Sequence, residues 1–205
     1  MTPRFLTFEG GEGAGKSTQI QKVSDFLVSQ GIDVIITREP GGTQGAEMVR
    51  DILVKNTGYA FTPLAELALM YGARVDHTEK VIKTALKKGV WVLCDRYADS
   101  SRVYQGLAQG VGLKIVQDLH DTLLSGFEPD GTFFIDVPVN VGLSRTLGRG
   151  SDEDRFEKLD SSFHEKIRSG FLALAEKNPR FSVIDGTQDM DTVFEDIRSV
   201  VQGYL

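Results

Sequence analysis

Eight consecutive residues, Gly10-Gly11-Glu12-Gly13-Ala14-Gly15-Lys16-Ser17, carry the strongest chemical signal in the chain. They fit G-x-x-x-x-G-K-[ST], a loop whose backbone N–H groups close on the phosphates of a nucleotide. Glycines permit both that approach and the unusual dihedrals it needs. In this arrangement Lys16 neutralises β and γ oxygens, Ser17 ligates Mg²⁺, and the following helix adds its positive N-terminus. A metal-bound triphosphate also needs a carboxylate at the end of a neighbouring strand. Asp95 closes the apolar run Val90–Cys94 and so stands at the carboxyl edge of a sheet, the ligand side of open α/β folds. Its bland alternative is an Asp capping a turn.

The loop alone does not separate a kinase from a GTPase switch. No Asp is followed three positions later by Gly, and the Lys158-Leu159-Asp160 triplet is preceded by Glu157 instead of the Asn or Thr of a guanine reader. A switch is therefore disfavoured. A kinase needs arginines to grip the acceptor phosphate and the transferring group. Arg38 sits in the turn after the second predicted strand, Arg96 follows Asp95, and Arg149 and Arg155 flank a stretch dense in glycine and charge. The last two suit a lid, spanning about 148–156, that folds over the triphosphate and excludes water.

Alternating strands and helices must position these groups, which predicts a mainly parallel sheet with helices on both faces. Phe5–Phe8, Val34–Ile36, Val90–Cys94, Thr132–Val137 and Phe181–Ile184 read as buried strands. Ile20, Val23, Phe26 and Leu27 recur at helical spacing up to Gly31, a C-terminal cap. A long helix starts at Thr62 and Pro63 and runs to Lys87-Lys88, with Gly72 as the expected bend. Ile115, Val116, Leu119 and Leu123 mark another helix, and Val193, Ile197, Val200, Val201 and Tyr204 the last. With no repeat, linker or low-complexity tract, a single domain over 1–205 is expected.

Composition narrows the partners. The 23 basic and 29 acidic residues give a net charge of −6, which argues against a nucleic-acid polymer. Neither a signal peptide in Met1–Phe8 nor an apolar run of membrane-spanning length is visible, so no membrane association and a cytoplasmic location are expected. The lone cysteine, Cys94, lies in a strand and reads as an inert buried thiol. His77, His120 and His164 show no ligand spacing and read as surface or supporting residues.

Four signatures together resemble the bacterial thymidylate kinases over nearly the whole length. They are Phe8-Glu9-Gly10 leading into Glu12-Gly13-Ala14-Gly15-Lys16-Ser17-Thr18, then Thr37-Arg38-Glu39-Pro40-Gly41-Gly42-Thr43, Asp95-Arg96-Tyr97, and Tyr104-Gln105-Gly106. The resemblance implies the nucleoside-monophosphate kinase type of P-loop fold, a five-stranded parallel sheet flanked by helices with a lid. It further implies a homodimer that uses Mg-ATP to convert dTMP to dTDP. Residue by residue, it puts Arg38, Arg50 and Arg96 near the acceptor phosphate, Asp95 at the metal, and Glu12 near the sugar hydroxyl. Arg74 reads the thymine edge, while Ser101, Tyr104 and Gln105 line the sugar and base pocket, with Tyr104 disfavouring a ribose 2′-OH. Met70 or Tyr71, three or four residues before Arg74, shares its helical face and could clasp the base with it. Glu12 stands where one branch of the family keeps its catalytic arginine, which assigns that role to Arg149 in the lid, and Arg145 stacks on adenine. Met70 departs from the phenylalanine common at the thymine platform, so dUMP tolerance is open. The rival readings are a P-loop kinase for another monophosphate or small acceptor, and a nucleotide-regulated binding module without an acceptor.

Overall fold

The computed structural model describes residues 2–55, 58–146 and 159–205. Strands β1 (Phe5–Glu9), β2 (Val34–Arg38), β3 (Trp91–Asp95), β4 (Gly131–Asp136) and β5 (Phe181–Asp185) form one parallel sheet in the order β2-β3-β1-β4-β5. Each lies within two residues of its predicted bounds. The helices are α1 (Lys16–Ser29), α2 (Gln44–Val54), α3 (Pro63–His77), α4 (Lys83–Lys87), α5 (Ala98–Ser101), α6 (Leu113–Leu124), α7 (Val139–Thr146), α8 (Ser161–Ala175) and α9 (Met190–Gln202). Among the described residues no helix is long and apolar enough to cross a membrane.

Period-2 alternation sends the strands' apolar side chains to both faces. Leu6, Phe8, Leu93, Phe133 and Ile135 meet Ile20, Val23 and Leu27 of α1 and Ile197 and Val201 of α9. On the opposite face Phe5, Val92 and Cys94 pack with Ile82 and Tyr97. Phe134 packs there with Phe171 and Ile167 of α8. Because both faces are covered, only strand ends are left for chemistry. The chain leaves β1 toward β2 and β3 on one side and reaches β4 and β5 on the other, so a crevice opens at the carboxyl end of β1, the switch point of the sheet.

The long helix after Thr62 differs from its predicted form. The helical pattern continues through Gly72. Helix α3 runs on to His77, a π-helical turn covers Thr78–Ile82, and α4 completes the rod. A second π-helical segment, Arg102–Ala108, continues α5. One extra residue per turn changes which side chains face the crevice, a re-aiming that π-helical turns often provide at functional sites. All three histidines are buried, which corrects the surface half of their reading. His77 supports the crevice, His120 packs on Tyr71, and His164 is 5 % exposed.

Candidate active site

The loop between β1 and α1 is held by its glycines. Gly10, Gly13 and Gly15 have φ of 152°, 69° and 89°, and a Cβ on Gly13 would lie 2.0 Å from the carbonyl oxygen of Gly142 in α7. Gly142 is matched to the loop in turn, since a Cβ there would come within 2.5 Å of the Glu12 carbonyl. Lys16 is curled over the loop, with Nζ 3.4 Å and 3.3 Å from the carbonyl oxygens of Gly10 and Gly11. Burial pushes its ammonium pKa down, aided by Arg96 and opposed by Asp95, Glu12 and Glu9.

The register of β1 on β3 sets Phe8 beside Asp95 and brings that carboxylate to the loop. Ser17 Oγ donates to Asp95 Oδ2 at 3.4 Å, while Asp95 Oδ1 is buried without a hydrogen-bond partner. An unsatisfied carboxylate oxygen beside a serine hydroxyl is a donor set suited to a hard divalent cation. Among the described residues no three His, Cys, Asp or Glu side chains gather to hold a metal alone, so such an ion would complete its shell with phosphate and water oxygens.

Arg96 follows at φ 66°, a left-handed conformation unusual for a residue with a side chain. The turn is over-determined. Glu9, fully buried at the end of β1, accepts from the Tyr97 amide at 2.9 Å and from Ser100 Oγ at 2.6 Å, and Arg96 Nη1 donates to that hydroxyl at 3.3 Å. Arg96 Nη2 reaches Glu12 Oε1 at 2.8 Å, and the guanidinium lies 5.1 Å from the centroid of the Tyr104 ring. Tyr104 OH also donates to Glu12. Burial opposes the charge on Glu12, but Arg96 and Lys16 outweigh it and hold the carboxyl below its ordinary range. Burial, with Asp99 close by, pushes Glu9 up to about 7 against the pull of Arg96.

Two cavities meet at Arg96. An open cleft runs over the loop past Lys16, Ser17, Thr18, Arg38 and Asp95. A more enclosed pocket of about 130 Å³ lies beyond, walled by Met70, Arg74, Tyr97, Ser101, Tyr104 and Gln105. Glu12, Glu39, Arg50 and Arg96 line both. Arg50 Nη1 donates to the Pro40 carbonyl at 2.9 Å, and Arg38, half exposed, pairs with Glu47 at 3.1 Å.

Arg74 is buried at the back of the pocket. Its Nε donates to Glu39 Oε2 at 2.7 Å and its Nη2 to the Tyr97 carbonyl at 3.1 Å, while Nη1 is buried without a partner. His77 Nδ1 lies 2.9 Å from the other Glu39 oxygen, and its Nε2 lies 2.6 Å from Thr37 Oγ1. A carboxylate only accepts, so Nδ1 donates to Glu39 while Nε2 meets the threonine hydroxyl. Thr37, His77 and Glu39 thus brace the guanidinium in one chain. Tyr71 does not share the pocket wall with Met70. It is fully buried, 4.6 Å beneath Arg74 by ring centroid.

The structure therefore gathers Glu12 to Thr18, Arg38, Arg50, Met70, Arg74, Asp95, Arg96, Ser101, Tyr104 and Gln105 along one continuous crevice, with the Gly10 and Gly11 carbonyls beside Lys16. Arg145 stands apart on α7 and donates to the Gly186 carbonyl after β5 at 3.1 Å. The lid segment 148–156, with Arg149 and Arg155, lies outside the described residues. Sequence reasoning assigned no role to Glu39, Glu66, Ser100 or Gly142, and gave His77 a surface or supporting one. His77 had one legible signal, its spacing of three from Arg74 on a helix.

A glycine loop on the switch point of a parallel sheet, opening through shared arginines into a second enclosed pocket, defines a P-loop kinase of the nucleoside-monophosphate type. The family model described as thymidylate kinase matches residues 8–197. The thymidylate kinase of Afipia carboxidovorans is 48 % identical over 205 residues, covering 98 % of this chain and 90 % of that one. That of Caulobacter vibrioides is 46 % identical over 198 residues, covering 96 % and 95 %. The crystal structure of thymidylate kinase from Ehrlichia chaffeensis superposes with a TM-score of 0.79 at 34 % identity, covering 98 % of this chain and 99 % of that one. The chain belongs to the thymidylate kinase family.

Proposed function

We propose that this protein is a phosphotransferase that moves the γ-phosphoryl group of ATP to dTMP, with ATP over the glycine loop and dTMP in the enclosed pocket. The observation that carries the reading is the shared wall: Glu12, Arg50 and Arg96 border both cavities, so phosphates entering from the two sides converge there. A dTMP phosphate oxygen bonds to the γ-phosphorus as the bond to the β–γ bridging oxygen breaks, and ADP leaves. Arg96, Arg50 and Arg38 hold the acceptor phosphate, and Lys16 follows the donor's charge. At the other end of the pocket the unpartnered Nη1 of Arg74 faces the thymine O4, Met70 supplies an apolar platform, and Ser101, Tyr104 and Gln105 fit the sugar and base.

Ser17 and the unpaired Asp95 oxygen support Mg²⁺ as the cofactor. When bound, it screens the β and γ oxygens as charge shifts toward the leaving diphosphate. Arg149 and Arg155 are assigned to a lid over ATP, and Arg145 to the adenine side. The single domain expected over 1–205 agrees with one sheet carrying both cavities. A homodimer is supported by the apolar side chains left in solvent on two helices that both pack against α3, Met48 and Ile52 on α2 and Ile115 and Leu123 on α6. A cytoplasmic location agrees with a substrate pair of free nucleotides. The test is ADP release, with Mg-ATP held constant, across dTMP, dUMP, dCMP, dGMP, dAMP and AMP. The reading expects dTMP to be strongly favoured, and equal use of a purine monophosphate would refute it.

A further inference from the structure

Glu66 lies in the first turn of α3 and is 0 % exposed. Its Oε1 accepts from two amides of the π-helical segment and its exit, Gln105 Nε2 and Gln109 Nε2, both at 2.8 Å. A buried carboxylate is costly where a glutamine of nearly the same shape would fill the space. The two differ in what they can bind. A glutamine offers a donor and an acceptor, and so tolerates either orientation of a facing amide. An ionised carboxylate is acceptor-only and takes the nitrogen end. Gln105 lines the enclosed pocket, and with one N–H engaged by Glu66 its amide is held in one orientation, which fixes the carbonyl oxygen as its acceptor for a ligand.

The pocket thereby carries a fixed polarity, a donor at Arg74 Nη1 and an acceptor at Gln105 Oε1. Thymine and uracil offer the complement, an O4 acceptor beside an N3–H donor. Cytosine offers the reverse, an N4–H₂ donor beside an N3 acceptor, and would leave both protein groups mismatched in a buried site. Glu66, Met70 and Arg74 are four residues apart in succession, so one stripe of α3 carries the group that orients the reader, the platform and the donor.

Resting on the reading of this pocket as the base site, we propose that Glu66 is a positioning residue, touching no substrate, that sets the discrimination between 4-oxo and 4-amino pyrimidines by locking the orientation of the Gln105 amide. The test is kcat/KM for dTMP and for dCMP in the full-length protein, in Glu66→Gln, Glu66→Asp and Gln105→Met. Glu66→Gln frees the amide to turn, and the dTMP-to-dCMP ratio should fall about 10-fold or more. Glu66→Asp keeps an acceptor-only group and should hold the ratio within about threefold even where both constants drop. Gln105→Met removes the reader and should lower the ratio as Glu66→Gln does, and adding Glu66→Gln to it should change the ratio no further. Equal losses for both substrates in Glu66→Gln, or the same ratio change in Glu66→Asp, would overturn the proposal. Should Glu66→Gln fail to fold, an unchanged ratio in Gln105→Met or a lost one in Glu66→Asp overturns it, and the opposite pair supports it. Failure of the base-site reading looks different: the unmodified protein would then show no preference for dTMP at all.

Discussion

Replacing Arg74 with methionine removes all five N–H donors and keeps an unbranched apolar stem, two atoms shorter. The loss at the base can be worked from the site. Nη1 is buried and has no protein partner, so a base oxygen placed there would gain a charge-assisted hydrogen bond worth about 1.5–3 kcal/mol. That corresponds to a rise of roughly 10- to 150-fold in the KM for dTMP. The KM for ATP should stay within about threefold, because Arg74 lines the enclosed pocket and not the phosphate cleft. Stability falls as well. Removing one partner of a buried pair costs about 3–5 kcal/mol when the other is stranded, and the lower end applies here because His77 still holds one Glu39 oxygen. The assay is coupled ADP release with dTMP varied at saturating ATP and then the reverse, on a preparation whose urea midpoint shows it folded. A dTMP KM within about threefold of the unmodified protein, or a parallel rise in the ATP KM, would refute the placement of the base beside Arg74.

Met70→Phe should change the ratio of dTMP to dUMP specificity constants, since Met70 is on the pocket wall, and an unchanged ratio would show that it does not face the base. Gly142→Ala should weaken ATP binding about 5- to 150-fold, measured by titration calorimetry, because its Cβ would come within 2.5 Å of the Glu12 carbonyl and overpacking costs about 1–3 kcal/mol. Glu9 keeps its proton to about pH 7 in the folded protein, whereas the unfolded chain releases it near 4.5, so its ionisation erodes stability as pH rises through that window. Urea melts of Glu9→Gln and the unmodified protein should therefore diverge in the variant's favour by up to roughly 3 kcal/mol between pH 4.5 and 7.5, and parallel curves would contradict the shift. Arg149→Ala should lower kcat by about 10³-fold or more with little change in ATP affinity, and an unchanged kcat would remove it from the mechanism.

The loop, the strands and Asp95 were legible because their signals are local: a fixed glycine spacing, an apolar run, a carboxylate at a strand end. Arg74 and Gln105 were legible only through the family resemblance, since nothing in their immediate neighbours marks them as lining a pocket. Of the braces behind them, only His77 left a trace, in its spacing from Arg74. Glu39 and His77 are 38 residues apart and meet only when β2 and α3 pack, and Glu66 and Gln105 are 39 apart. The π-helical turn Thr78–Ile82 was not legible either, since no glycine or proline marks it. The exposed Ile115 and Leu123 fit the periodicity of α6, although its buried face is Val116, His120 and Leu124. A pattern of apolar residues alone does not say whether it faces the core or another surface.

Direct transfer between two nucleotides across the Arg96 wall is tested by following the label of [γ-³²P]ATP in the presence of dTMP. Radioactivity appearing in the β-phosphate of dTDP, one for one with ADP, is the expected result. Label released only as inorganic phosphate, with dTMP recovered intact, would contradict it.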